Sequence, residues 1–124
     1  MPRVLIVEDD PGIRETLAQV LEIEGYEVGA ASDGRKALTA ARREHPDLIL
    51  LDLMMPVMDG WQFRAEQKLD PAIRDIPVVV VSALGWRADI DAVAFIAKPF
   101  RIEQVIEAVE RYGHEHGEHG QARA

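Results

Sequence analysis

The chain has 124 residues, enough for one domain with a core of its own and no need of covalent staples. It contains no cysteine, so disulfides, thiolate catalysis and Cys-ligated zinc are excluded and a reducing compartment is compatible. Fourteen Lys and Arg against twenty-two Asp and Glu give a formal charge of −8, which argues against direct nucleic-acid binding and against docking on an anionic membrane.

The apolar run at the N-terminus is too short for a signal peptide or a membrane span and acids follow it, so a cytoplasmic location is expected. Residues 4–7 read as a short buried strand ending in Glu8, Asp9 and Asp10. Asp10 followed by Pro11 is a helix start, an N-cap with proline at the first helical position. Ile13, Leu17, Val20 and Leu21 then share one helical face, and Gly25 closes the helix. Residues 26–30 alternate as an edge strand would. Asp33 caps a second helix through Ala37, Leu38 and Ala41, which His45-Pro46 ends.

Residues 48–51 form a continuous apolar strand that runs straight into Asp52. Pro56, Asp59 and Gly60 turn the chain into a helix over residues 61–69. A fourth strand spans residues 76–81, its Pro77 near the start where a missing N–H costs least, with Ser82 at its end. Residues 93–97 make a fifth strand ending at Lys98-Pro99, and a last helix aligns Ile102, Val105, Ile106 and Val109. Residues 1–112 are therefore one domain, and residues 113–124, rich in Gly, His and Glu, are expected to be a disordered tail. Strands alternating with helices, the central strands continuously apolar, specify an α/β doubly wound parallel sheet with helices on both faces.

In such a right-handed fold the carboxyl ends of the strands lie on one edge, where ligands bind. Glu8 and Asp9 follow the first strand, Asp52 the third, Ser82 the fourth and Lys98 the fifth. If the strand order is 2-1-3-4-5, Asp9 faces Asp52 across the crevice between strands 1 and 3. Carboxylates at close quarters repel one another unless a cation lies among them, and an all-oxygen set suits Mg²⁺. A carboxylate neutralised in this way can act as a nucleophile toward a phosphoryl group, with Lys98 supplying a point charge and Ser82 a hydroxyl. Taken singly, Asp52 and Ser82 are ordinary caps and Lys98 an ordinary surface charge. Their convergence on one edge is what points to chemistry.

Glu8-Asp9-Asp10-Pro11, Asp52-Leu-Met-Met-Pro56-Val-Met-Asp59-Gly60, Ser82-Ala83 and Lys98-Pro99-Phe100 together resemble the receiver domain of two-component response regulators, from about Arg3 to Arg111. The resemblance implies a flavodoxin-like five-stranded sheet in the order 2-1-3-4-5. It implies that Asp52 is the phosphoacceptor and that Mg²⁺ is held by Asp9, Asp52 and the backbone carbonyl of Met54, with Glu8 acting through a water. Ser82 and Lys98 would bind the phosphoryl group, Phe95 would occupy the aromatic switch position, and the peptide before Pro99 would be cis. The implied partners are a sensor histidine kinase or a phosphotransfer protein, and a separate downstream protein unless this is a receiver cut from a longer chain. The resemblance makes the chain a phosphoacceptor that assists its own phosphorylation and dephosphorylation, not an enzyme.

Two departures stand out. Fifteen residues separate Ser82 from Lys98 and the fifth strand takes five of them, which barely meets the roughly 10–12 residues of a crossover with its helix. The helix between the fourth and fifth strands is therefore expected to be shortened to a turn or two around residues 86–91, or irregular, with Trp86 plugging the gap in preference to anchoring a partner. The residues two after Asp52 and two after Ser82 are Met54 and Leu84; neither can orient a water, so slow self-dephosphorylation is expected.

A haloacid-dehalogenase type phosphotransferase is disfavoured by Met54, which stands where that chemistry needs a second acid, and by the lack of room for a cap domain. A dinucleotide-binding module is disfavoured by Glu8-Asp9-Asp10 in place of a glycine-rich turn. A receiver-like interaction module that is never phosphorylated is the remaining alternative. His114, His116 and His119 could bind a transition metal, though a solvated tail is the preferred reading.

Overall fold

The computed structural model describes residues 2–114. Five strands, β1 (Arg3–Val7), β2 (Glu27–Ala31), β3 (Leu48–Leu51), β4 (Val78–Ser82) and β5 (Ala94–Ala97), make one parallel sheet in the order 2-1-3-4-5. Four helices are present among the described residues: α1 (Pro11–Ile23), α2 (Gly34–Glu44), α3 (Gly60–Leu69) and α4 (Ile102–Tyr112). This is the flavodoxin-like doubly wound architecture.

Alternation along each strand explains why both faces are covered. Val4 and Ile6 of β1 pack with Leu17 and Leu21 of α1 and with Val105 and Val109 of α4. Leu5 and Val7 of the same strand point the other way, toward Ala37 and Ala41 of α2 and Phe63 of α3. All four residues of β3 are buried, as a central strand between two helical layers requires. β2 lies at the sheet edge and is the more exposed, in keeping with its alternating sequence.

Local chemistry sets the helix ends. The Asp10 carboxylate accepts from the amides of Gly12 and Ile13, with Pro11 at the start of α1. Asp33 caps α2 through the Lys36 amide, and His45, in the left-handed region at φ 49°, ends it. Asp59 and Gln62 form a reciprocal capping box on α3. The amide of Gly34 donates to the Met58 carbonyl at 2.9 Å, which docks the start of α2 on the segment that follows Asp52.

The region between β4 and β5 departs most from the sequence reading. Residues 83–93 contain no helix, only turns, so the connection is of the irregular kind. Nor does Trp86 plug the gap. It is 70 % exposed, while Ile90, at 7 %, sinks into the core beside Phe63 and Ile73. A short connection has to bury one apolar side chain over the sheet, and the slimmer isoleucine fits there. Pro77 stays outside β4, where its carbonyl accepts from the Ile49 amide, and Ser82 is the last residue of the strand. The tail reading, including His116 and His119, falls largely outside the described residues.

Candidate functional site

The acidic residues meet where the register predicts. β1 and β3 pair in parallel with Val7 opposite Leu51, so the chain leaves both strands at the same level. The Asp52 amide bonds the Val7 carbonyl at 2.9 Å and continues the ladder by one residue. Carboxylate oxygens of Glu8, Asp9 and Asp52 lie within 4.8 Å of one another. Glu8 and Asp52 are buried, at 3 % and 5 % exposure, and Asp9 is exposed. From β5, the Lys98 ammonium reaches in to 2.6 Å from Glu8 Oε1 and 3.4 Å from Asp52 Oδ2.

One lysine does not balance three carboxylates. Burial pushes the Glu8 carboxyl up to about 6, against the lowering pull of its bonds from Lys98 and the Asp10 amide, and the Asp52 charge adds to the rise. Burial pulls Lys98 down, but its bond to Glu8 and the charges of Asp52 and Glu8 outweigh this and leave it above the ordinary lysine value. An under-neutralised, all-oxygen cluster open on the Asp9 side fits a hard divalent cation such as Mg²⁺, which keeps several waters and takes one or two carboxylates directly.

The pH dependence follows with a definite sign. Because Glu8 stands at about 6 in the folded protein against 4.5 ordinarily, its contribution to stability is fully present below 4.5 and is lost as pH rises through 6, about 2 kcal/mol in all. Mg²⁺ needs the ionised cluster. Its stabilisation of the fold is therefore expected to be larger at pH 7.5 than at pH 5.5, reaching about 1.4 kcal/mol at tenfold saturation. Thermal melts with Mg²⁺ or EDTA at the two pH values check this; an equal Mg²⁺ effect at both would contradict it.

The other predicted residues sit around this cluster without all touching it. Ser82 is fully buried at the end of β4, and its Oγ accepts from the Leu84 amide at 3.2 Å. The Met54 amide lies 3.4 Å from Asp52 Oδ1, and the Met54 side chain is exposed. Phe95 lies on β5 with its ring edge-on to Trp86, centroids 6.4 Å apart, and not at the carboxylates. The Lys98–Pro99 peptide is cis.

Sequence reasoning missed Arg14. From the first turn of α1 its guanidinium donates to the carbonyls of Glu8 at 2.8 Å and Asp9 at 3.4 Å, fixing the backbone that carries both acids. The only available signal was its place one turn into the helix that follows them. Both Glu8 oxygens are also engaged, Oε1 with Lys98 and Oε2 with the Asp10 amide.

A model of the response regulator receiver domain matches residues 4–110. The chain belongs to this family. Receiver domains of two-component systems are in general not catalytic enzymes; they interact with histidine kinases or phosphotransfer proteins. Among full-length relatives, the DNA-binding dual master transcriptional regulator RpaA of Synechocystis is 40 % identical over 115 residues, covering 88 % of this chain and 48 % of RpaA. The chain spans about half the length of the curated relatives it matches first. Among solved structures, the signal receiver domain of a signal transduction histidine kinase from Syntrophus aciditrophicus superimposes with a TM-score of 0.82 at 34 % identity, covering 90 % of this receiver and 89 % of that chain. The receiver domain of the sensor histidine kinase PA1611 from Pseudomonas aeruginosa, which has a magnesium ion coordinated in its active site cleft, gives 0.82 at 27 % identity, covering 90 % and 96 %. No helix among the described residues of this receiver is long and apolar enough to cross a membrane.

Proposed function

We propose that Asp52 accepts a phosphoryl group from the phosphohistidine of a sensor histidine kinase or a phosphotransfer protein, in the cytoplasm, and that the resulting acyl phosphate changes how the receiver meets a downstream protein. The observation that carries this reading is the placement of Asp52, buried at the tip of β3, with two further carboxylates within 4.8 Å and the Lys98 ammonium at 3.4 Å. A buried acid in that company is costly unless its charge is used.

In the transfer, an Asp52 carboxylate oxygen attacks phosphorus, the new O–P bond forms as the donor N–P bond breaks, and the leaving imidazole takes a proton from solvent. Mg²⁺, when bound, would supply positive charge that offsets the crowded carboxylates and the incoming phosphoryl group. Asp9 and Asp52 would hold it by side chain and Met54 by its carbonyl. Glu8, with both oxygens already engaged, would act through a water. Lys98, which reaches the carboxylates from the end of β5, pairs with the phosphoryl oxygens, and the Ser82 hydroxyl donates to one of them. Phe95 follows Ser82 as the aromatic of the switch.

Acetyl phosphate with Mg²⁺ tests the chemistry, because an acyl phosphate is cleaved by hydroxylamine whereas a phosphate ester on a hydroxyl is not. A hydroxylamine-stable product would contradict the assignment. The same product reports lifetime. Met54 and Leu84 are both exposed and neither can orient a water for attack, so self-dephosphorylation is expected to be slow. Met54→Asn combined with Leu84→Glu is expected to speed the decay on the order of tenfold, below the ~10²–10⁴ of a fully positioned acid–base group. Unchanged decay in that double variant would rule out water positioning at these two residues.

A further inference from the structure

The connection between β4 and β5 falls into two halves held by different parts of the molecule. Its second half is anchored by α3. Arg64, whose side chain is only 13 % exposed, donates from Nε to the Asp91 carbonyl at 2.9 Å and from Nη2 to the Asp91 carboxylate at 3.4 Å. Its Nη1 donates to Gln67 Oε1 at 2.9 Å. Gln67 is fully buried and its amide bonds the carbonyls of Ile73 and Ile76, so the guanidinium rests on a fixed internal support. Beside it Ile90 is sunk in the core, and the Val93 amide joins the Val78 carbonyl at 2.9 Å.

Weaker ties add to the anchor. Arg87 lies 5.7 Å from the centre of the Trp61 ring. Asp89 is held below the usual carboxylate range by the Trp61 indole N–H first and by Arg87, although the indole lies outside strict hydrogen-bond geometry. The Lys68–Asp91 pair at 3.3 Å joins two half-exposed side chains and is screened.

The first half is lightly held and touches the site itself. The Leu84 amide bonds the Ser82 hydroxyl, and the Gly85 amide bonds the Ser82 carbonyl at 3.1 Å. Gly85 has φ 66°, a conformation that glycine takes freely and other residues resist. Trp86 projects into solvent with its ring edge-on to Phe95. Segments with few buried contacts and a free hinge rearrange first.

We propose that α3, through Arg64 and the Trp61–Arg87 stack, serves as the fixed base of this helix-free connection, so that a change at Ser82 is confined to residues 83–86 and Phe95. Arg64 is then a positioning residue for the switch. The inference rests on the acceptor reading of Asp52 and adds what bounds the segment that responds to it.

Proton–nitrogen correlation spectra of the ¹⁵N-labelled protein, recorded with and without Mg²⁺ and beryllofluoride, test it, because the two tryptophans report separately on the two halves. The Trp86 indole and the amides of Leu84, Gly85 and Trp86 are expected to shift, while the Trp61 indole and the amides of Ile90, Asp91 and Ala92 stay in place. In Arg64→Ala the second group is expected to shift as well, with acyl phosphate still formed by intact mass. Arg64→Lys, which keeps the charge and loses the fork, is expected to behave alike and serves if the alanine variant fails to fold. Equal shifts in both groups of the wild type, or an unmoved boundary in a folded Arg64 variant, would overturn the inference and leave the acceptor reading intact. No acyl phosphate in the wild type would remove the acceptor reading and this inference with it.

Discussion

Lys98→Met is expected to destabilise the metal-free protein by about 3 kcal/mol at pH 7.5, at the low end of what is lost when one partner of a buried ion pair is removed. The substitution keeps the length and apolar stem of the side chain and deletes only the charge. Glu8 and Asp52 are then left buried with no cation among them. The loss should shrink as pH falls. Glu8 already titrates at about 6 with the lysine in place, so without it the carboxyl takes up a proton nearer neutrality and relieves the repulsion. Added Mg²⁺ should restore more stability to the variant than to the wild type, because a second cation then does what the lysine did. Urea denaturation in EDTA and in Mg²⁺, at pH 7.5 and pH 5, measures all three effects. A loss that is the same at both pH values would show that Lys98 matters for packing and not for charge.

Features set by local chemistry were legible in the sequence. Asp10 and Asp33 cap α1 and α2 because an N-cap needs only its own carboxylate and the amides just after it, whereas Asp59, read as a turn residue, proves to cap α3. The convergence of Glu8, Asp9, Asp52 and Lys98 was legible because parallel strands deliver their ends to one edge whatever lies between them. The strand order was not read from the residues; it came with the family resemblance, since nothing in a single strand says which neighbour it takes.

What could not be read depends on contacts far apart in sequence. Residues 83–93 carry Leu84, Trp86, Ile90 and Val93, and only the folded surroundings decide that Ile90 is buried while the other three are exposed. Arg14 was not legible because it bonds backbone carbonyls and has no acidic side-chain partner among the described residues to suggest the pairing. Gly60 read simply as a turn residue. In the fold a Cβ there would lie 2.6 Å from the Asp52 carbonyl and 2.7 Å from the Leu53 Cα, so its lack of a side chain lets α3 start directly against Asp52 and Leu53.

Asp52→Ala is expected to abolish phosphorylation completely while leaving the fold intact. The replaced carboxylate is the proposed nucleophile, and Glu8 and Asp9 are not placed to substitute for it. Glu8 is engaged through both oxygens, by Lys98 and by the Asp10 amide, and Asp9 is exposed at the rim of the cluster. Removing one of three crowded carboxylates should also relieve repulsion, so the metal-free variant should be at least as stable as the wild type. The decisive measurement is intact-mass spectrometry of both proteins after incubation with acetyl phosphate and Mg²⁺. One phosphoryl increment in the wild type and none in Asp52→Ala is the predicted result. An increment that survives in the variant, or none in a folded wild type, would contradict the account and leave a receiver fold that works without phosphate on Asp52.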